Sequence, residues 1–151
     1  MIALTIEAIA VTSDEQLKQG LQIRMEVFVK EQQVPADLEL DEFDASWDAC
    51  RHYLLVDDGR AVAAARYRMY DEETAKLQRI AVLASHRGLG LGRTIIEAME
   101  ADIRQRGIGA VILDAQTQAE PFYAKLGYVT ISEEPFLDAG IWHVRMKKTL
   151  I

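Results

Sequence analysis

The chain is poor in the residues that usually staple a small protein or arm it with metal. It has one cysteine, Cys50, which excludes an internal disulfide framework and a multi-cysteine zinc site. Histidine is almost as scarce: His52, His86 and His143 are scattered, with no H-x-x-x-H pair, so no metal is expected. No apolar run is long enough to cross a bilayer, and the opening MIALTIEAIAVTSDEQ has no basic stretch ahead of its apolar residues. Neither a membrane partner nor export is expected, and a cytoplasmic location follows. Seventeen Lys and Arg against twenty-four Asp and Glu leave a net charge of −7, the wrong sign for a nucleic-acid surface. Repeats, linkers and low-complexity segments are absent as well.

What is present suits one domain, 1–151, with a core of its own: half the residues are hydrophobic and the mean hydropathy is −0.04. The most informative stretch is AKLQRIAVLASHRGLGLGRTIIEAMEADIRQR, residues 75–106. Leu77, Ile80, Val82 and Leu83 read as a strand, and Leu91, Ile95, Met99 and Ile103 as the buried stripe of a helix. Between them runs the loop Arg87-Gly88-Leu89-Gly90-Leu91-Gly92. The first turn of a helix has N–H groups without intrahelical partners and the positive end of the peptide dipoles. Glycines ahead of it let the main chain come close to an anion, so the construction suits a diphosphate. Arg87 and Arg93 add positive charge at the rim, and His86 borders the pocket. The loop is not a Walker loop, because Arg93-Thr94 follows Gly92 where Lys-Ser/Thr is needed, and its alternating glycines do not fit G-x-G-x-x-G.

The rest reads as an α/β alternation with a mixed sheet. Ile2 to Val11 form a first strand, and Ser13 with Gln16 opens a helix with Leu17, Leu21, Met25 and Phe28 on one face. Val34-Pro35 ends that region. Tyr53 to Val56 and Ala61 to Met69 form a hairpin around Asp57-Asp58-Gly59, and Lys76 to Leu83 the strand before the glycine loop. Ala110 to Leu113 is a short buried strand, Thr117 with Glu120 opens a helix ended by Gly127, and Tyr128 to Ile131 and Trp142 to Met146 close the sheet. The acidic run Asp37, Glu39, Asp41, Glu42, Asp44 and Asp48 has no Lys or Arg among it. It reads either as a solvated loop or as an electronegative rim that attracts a cationic amine.

Arg87-x-x-Gly90-x-Gly92 followed by Phe122-Tyr123-x-Lys125-Leu126-Gly127-Tyr128 resembles the GNAT superfamily of acyl-CoA-dependent N-acetyltransferases. Arg24-x-x-Val27-Phe28-Val29-x-Glu31-Gln32-x-Val34-Pro35, with Ala115 to Ala119 and Asp138 to Ile141, is similar to its small bacterial ElaA-like branch. The resemblance implies a central mixed sheet flanked by helices, and acetyl transfer from acetyl-CoA to a primary amine of a small molecule or peptide by direct attack. It implies that the main chain at Ile80, Ala81 and Val82 pairs with the pantetheine arm, that Arg87 to Gly92 with Arg93 hold the diphosphate, that Gln116 bonds the pantetheine, and that Phe122 lines the channel. Tyr123 falls where the family is proposed to protonate the departing thiolate. A phenol pKa of about 10 lies near that of an alkyl thiol, so that proton transfer is nearly balanced. The other reading of Tyr123 is ordinary aromatic packing. A homodimer through the last strands is a further implication.

The amine must lose a proton before it attacks, and the base stays open among Glu42, His52, Asp114 and His143. Relatives often carry a carboxylate in the strand before the glycine loop, whereas this chain has Gln78 and Arg79 there and no acid between Glu73 and Glu97. Cys50 reads as an inert thiol, a nucleophile only in a ping-pong scheme. An acyl-CoA sensor without turnover is the alternative function.

Overall fold

The structure is a computed structural model and describes residues 5–150. Its contacts group the chain into two units. The first takes the chain up to Tyr67 and again from Arg79 to Met99, and the second takes Arg68–Gln78 and everything from Glu100 on.

In the first unit β1 (Ile6–Ala10) leads to helix α1 (Asp14–Arg24). Ile2 and Leu4 of the expected strand lie outside the described residues. The Ser13 hydroxyl accepts from the Gln16 N–H at 3.2 Å, but the Gln16 amide oxygen accepts from Thr12 at 2.7 Å, so the cap reaches one residue further back than a capping box does. Gly20 brings the helix down onto the sheet: a Cβ there would lie 3.3 Å from Leu54 and 3.7 Å from Ala64. The seam therefore turns toward Leu17, Gly20, Ile23 and Arg24, and Leu21, Met25 and Phe28 are left half-buried at its edge. Beyond Arg24 the helix widens into a π-helical stretch, Met25–Glu31, with Val27 buried. A short helix α2 (Ala36–Glu39) and a 3-10 turn (Glu42–Asp44) follow.

Strands β2 (Arg51–Asp57) and β3 (Arg60–Met69) pair antiparallel from Arg51↔Tyr67 to Asp57↔Arg60, and β2 also pairs with β1. The turn matches expectation: Asp58 at φ 47° and Gly59 at φ 82° have the twist a two-residue hairpin needs. β4 (Thr74–Val82) neighbours β3, and Leu83 donates to the Val62 carbonyl at 3.0 Å within this unit. Helix α3 (Leu91–Gln105) starts in the first unit and buries the expected stripe Leu91, Ile95, Met99 and Ile103.

In the second unit the start of β4 pairs parallel with β5 (Ala110–Gln116), from Thr74↔Ala110 to Leu77↔Leu113. The crossover between the two strands is α3, as such a pair demands. A 3-10 turn (Thr117–Ala119) precedes helix α4 (Glu120–Lys125). No capping box forms at Thr117: α4 begins at Glu120 with Ala119 at its N-cap, and the Glu120 carboxylate accepts from the Thr130 hydroxyl. β6 (Val129–Thr130), β7 (Phe136–Asp138) and β8 (Ile141–Thr149) complete the unit, with β8 antiparallel to β5, β6 and β7. β7 goes unread in the sequence because it has three residues, yet its turn has Ala139 at φ 50° and Gly140 at φ 77°. The fold is a mixed α/β sheet with helices packed on it, as expected.

Candidate active site

The strand that feeds the glycine loop carries a backbone anomaly. Arg79 has φ 57°, a left-handed conformation costly for any residue with a Cβ, and the next three residues Ile80, Ala81 and Val82 end β4. Ala81 is buried against Val11, Leu17, Ile23, Val27, Leu54 and Ala64, while Ile80 and Val82 are half-buried. Past the 3-10 turn Ala84–His86, Gly88 and Gly90 have φ 78° and 77°. A Cβ at either would meet nothing within 4 Å, so glycine is there for its dihedral freedom and the space beside it is open. The Gly90 carbonyl accepts from the Thr94 N–H at 3.1 Å and its hydroxyl at 3.0 Å, which begins α3 and leaves Gly92 in the first turn. Leu89 is exposed and Leu91 buried. Such a loop can hold a diphosphate through main-chain amides.

Its charged side chains have partners of their own. Arg87 is paired: its Nη atoms hold both oxygens of Glu31 at 2.7 and 2.8 Å, and its Nε donates to the Val82 carbonyl at 3.0 Å. Arg93 pairs with Glu97 one turn along the exposed face of α3. His86 joins the loop to the end of β2, with Nε2 2.8 Å from Asp57 and Nδ1 2.8 Å from Ser85.

The acidic run divides: Asp37, Glu42 and Asp48 are exposed, as in a solvated loop, whereas Glu39, Asp41 and Asp44 are drawn into a network of ion pairs. Glu39 is buried and the Asp44 side chain is only 3% exposed. Arg24 donates to Glu39 at 2.7 Å and to Asp44 at 2.7 and 2.9 Å, and Arg66, 0% exposed, to Asp41 at 2.8 and 2.6 Å and to Asp44 at 2.8 Å. Arg79 Nε donates to the Glu39 carbonyl at 3.2 Å and lies 3.3 Å from its carboxylate. Three acids thus face three arginines, and a buried charge stays ionised only when it is met this way. The guanidinium groups of Arg24 and Arg66 hold Asp44 far below the usual carboxylate range against its burial, whereas burial wins at Glu39 and raises it. The arginines come from distant positions. Arg66, set in the apolar run Ala63-Ala64-Ala65-Arg66-Tyr67, was the sequence signal for them.

In the second unit Tyr123 lies on α4 with its ring edge-on to Phe122 at 5.0 Å and to Tyr128 at 6.1 Å. Burial pushes the Tyr123 phenol up to about 12, and its hydroxyl has no hydrogen-bond partner among the described residues. Tyr128 is fixed by its own bond to Glu100 at 2.7 Å, and Lys148 holds the same carboxylate at 3.0 Å. Phe122 is exposed, and Gln116, at the end of β5, accepts from Gln118 at 2.6 Å.

The four candidate bases fare unequally. Asp114 is taken by Arg145 at 2.8 Å and Lys76 at 3.2 Å, and these charges lower its pKa despite its burial. His52 is buried with Nε2 2.9 Å from the Phe43 carbonyl, and burial lowers its pKa. His143 has Nδ1 2.7 Å from the Ile141 carbonyl and stacks on Phe136. Glu42 is exposed on its 3-10 turn. Burial pushes the Cys50 thiol up to about 11, which suits inertness. Among the described residues no group of His, Cys, Asp and Glu is placed to hold a metal ion.

Comparison with known proteins agrees with this fold. Residues 9–150 match the family model described as an acetyltransferase (GNAT) domain. The chain is 46% identical over 143 residues to the uncharacterised N-acetyltransferase YjcF of Bacillus subtilis, a match that covers 95% of this chain and 99% of the relative. Crystalline ElaA of Escherichia coli superimposes with a TM-score of 0.81 at 26% identity, over 97% of this chain and 99% of that one. A GNAT family acetyltransferase of Elizabethkingia anophelis, solved with acetyl-CoA bound, shares the fold with a TM-score of 0.70 at 16% identity, over 96% of this chain and 98% of that one. The chain belongs to the GNAT family and is an acyltransferase.

Proposed function

We propose that this acyltransferase moves an acetyl group from acetyl-CoA to a primary amine by direct attack, the whole chain acting as one catalytic domain in the cytoplasm. Acetyl-CoA, the ligand of the E. anophelis relative, supplies the thioester. The amides from Gly88 to Gly92, with α3 behind them, bind its diphosphate, and Arg87 and Arg93 border it. The main chain of Ile80 to Val82 aligns the pantetheine arm, with Phe122 and Gln116 as further contacts. Binding energy from this remote part of the substrate positions the reacting carbon.

The observation that carries the reading is that the Tyr123 hydroxyl has no hydrogen-bond partner among the described residues, so its proton is free to give. Burial, which pushes it up to about 12, keeps it protonated but makes the transfer to sulfur less evenly balanced than for an ordinary phenol. At neutral pH it is a protonated phenol with its proton to give. The amine nitrogen forms its bond to the thioester carbon, the C–S bond breaks, and Tyr123 protonates the sulfur; the amine gives its own proton to water. The acid role is present at every pH below the Tyr123 pKa and is lost only as pH rises through about 12. Activity therefore climbs with pH as the amine deprotonates, with no descending limb from Tyr123 in the neutral range. In a thiol-release assay over an amine library, Tyr123→Phe lowers kcat by roughly 10²-fold or more, while calorimetry finds coenzyme A affinity nearly the same. An equal loss of both would reduce the tyrosine to packing.

A further inference from the structure

We propose that Arg79 selects acceptors that carry a carboxylate as well as the reacting amine, an inference that rests on the amine transfer above. It follows from how the six charges of the first unit divide their hydrogen bonds. Asp41 accepts from Arg66 on both oxygens, at 2.8 and 2.6 Å, and from the Phe43 N–H at 3.0 Å. Asp44 accepts from Arg24 and Arg66 on one oxygen, and from Arg24 and the Asp41 N–H on the other. Glu39 takes its short bond, 2.7 Å, from Arg24. Asp41 and Asp44 are saturated by the two fully buried arginines and nearby N–H groups, and Glu39 divides its carboxylate between Arg24 and Arg79, so a cationic amine finds no unpaired carboxylate among the three.

Arg79 receives what is left. Its contacts are the longest of the network: 3.2 Å to the Glu39 carbonyl, 3.3 Å to the Glu39 carboxylate and 3.6 Å to Asp41. Its Nη1 has no partner among the described residues, and its side chain is 24% exposed where those of Arg24 and Arg66 are 2% and 0%. Of the three cations it alone offers solvent an N–H fork. A guanidinium with spare parallel donors takes a carboxylate bidentately, with a directionality a lysine lacks. Its place is also telling: Arg79 immediately precedes Ile80 to Val82, in a strained left-handed conformation that aims one side chain out of the strand's alternation. Glu39 and Asp41 behind it fix the guanidinium. With three positive and three negative side chains the cluster is neutral before a ligand arrives, so the anion meets no net repulsion.

The carboxylate can belong to a free amino acid or to a peptide, and matched acceptors separate the two. Acetyl-CoA-dependent thiol release is measured with 4-aminobutyrate against butylamine, lysine against cadaverine, and Gly-Glu-amide against Gly-Gln-amide. Within at least one pair the carboxylated member is expected to have a kcat/KM about tenfold or more higher, chiefly through KM. A preference confined to the first two pairs points to amino acids, and one confined to the third to peptides. Arg79→Gln brings the ratio to about one, and Arg79→Lys retains part of it. Because the readout is a ratio within one preparation, a common loss of folded protein cancels. Equal or reversed preference in every pair, or a ratio untouched by Arg79→Gln, overturns the proposal. If no amine releases thiol, the first pair is titrated calorimetrically with coenzyme A present: tighter 4-aminobutyrate binding that Arg79→Gln abolishes supports the proposal, and indifference overturns it. Failure of coenzyme A itself to bind counts against acetyl transfer, a separate result.

Discussion

The glycine loop and the acidic segment before β2 are both rich in charge and both lie in the first unit, yet they are held in opposite ways. At the loop the main chain does the work: Gly88 and Gly90 set its path, and the charged pairs around it, Arg87 with Glu31 and Arg93 with Glu97, stand in solvent. In the segment from Glu39 to Asp44 the side chains do it, through charges removed from water. An exposed pair contributes little and exchanges partners readily, whereas breaking a buried one strands a charge. The first arrangement suits a surface that must open to a phosphate. The second suits a scaffold that must not move, with Arg79 as its one outward-facing cation.

The sharpest break of this contrast is Asp44→Asn, which leaves Arg24 and Arg66 facing each other with one acid fewer. Unfolding in urea should show a loss of about 3–5 kcal/mol. The pH dependence has a definite sign. The folded state holds Asp44 below its unfolded pKa, so its contribution is present above about pH 4 and is lost as pH falls further. The wild-type protein should therefore lose stability steeply below about pH 4, and the variant should show a shallower decline. A variant as stable as the wild type would mean that water reaches the network freely.

Gly90→Val tests the other arm. A β-branched residue at φ 77° costs about 1–2 kcal/mol of strain although nothing crowds it. Relaxing that strain displaces the amides, so coenzyme A should bind about tenfold more weakly or worse by calorimetry. Affinity unchanged in a folded variant would remove the loop from the binding site.

These two regions also mark what a reader of the sequence can see. The glycine loop is legible because its physics is local: the residues that bend the chain and the helix that follows are neighbours. The same holds for the Asp58-Gly59 hairpin and for the α3 stripe from Leu91 to Ile103. The acidic segment is misread because its partners lie on α1, β3 and β4, so that the run looks solvated until the chain has folded. The seam of α1 is displaced for a similar reason, since Gly20 contributes by its lack of a side chain and no apolar pattern records that. Glu31 is hidden too. It stands in a recognisable motif, but only the fold brings it to Arg87, 56 positions along the chain.

That pair supplies the finest test of the contrast. If Arg87 contributes charge to the diphosphate, it must first leave Glu31, which holds it with two bonds of 2.7 and 2.8 Å at the protein surface. Glu31→Gln removes the competing carboxylate while keeping a side chain of the same size. The melting temperature should hardly move, because the pair is exposed and water replaces the lost contact. Coenzyme A should bind a few-fold more tightly, about 2–5-fold, with the gain largest at low ionic strength where the phosphate attracts Arg87 over the longest range. The opposite result, weaker binding at unchanged stability, would mean that Glu31 serves the site by holding Arg87 where it stands, and the exposed pair would then be as fixed in its role as the buried ones.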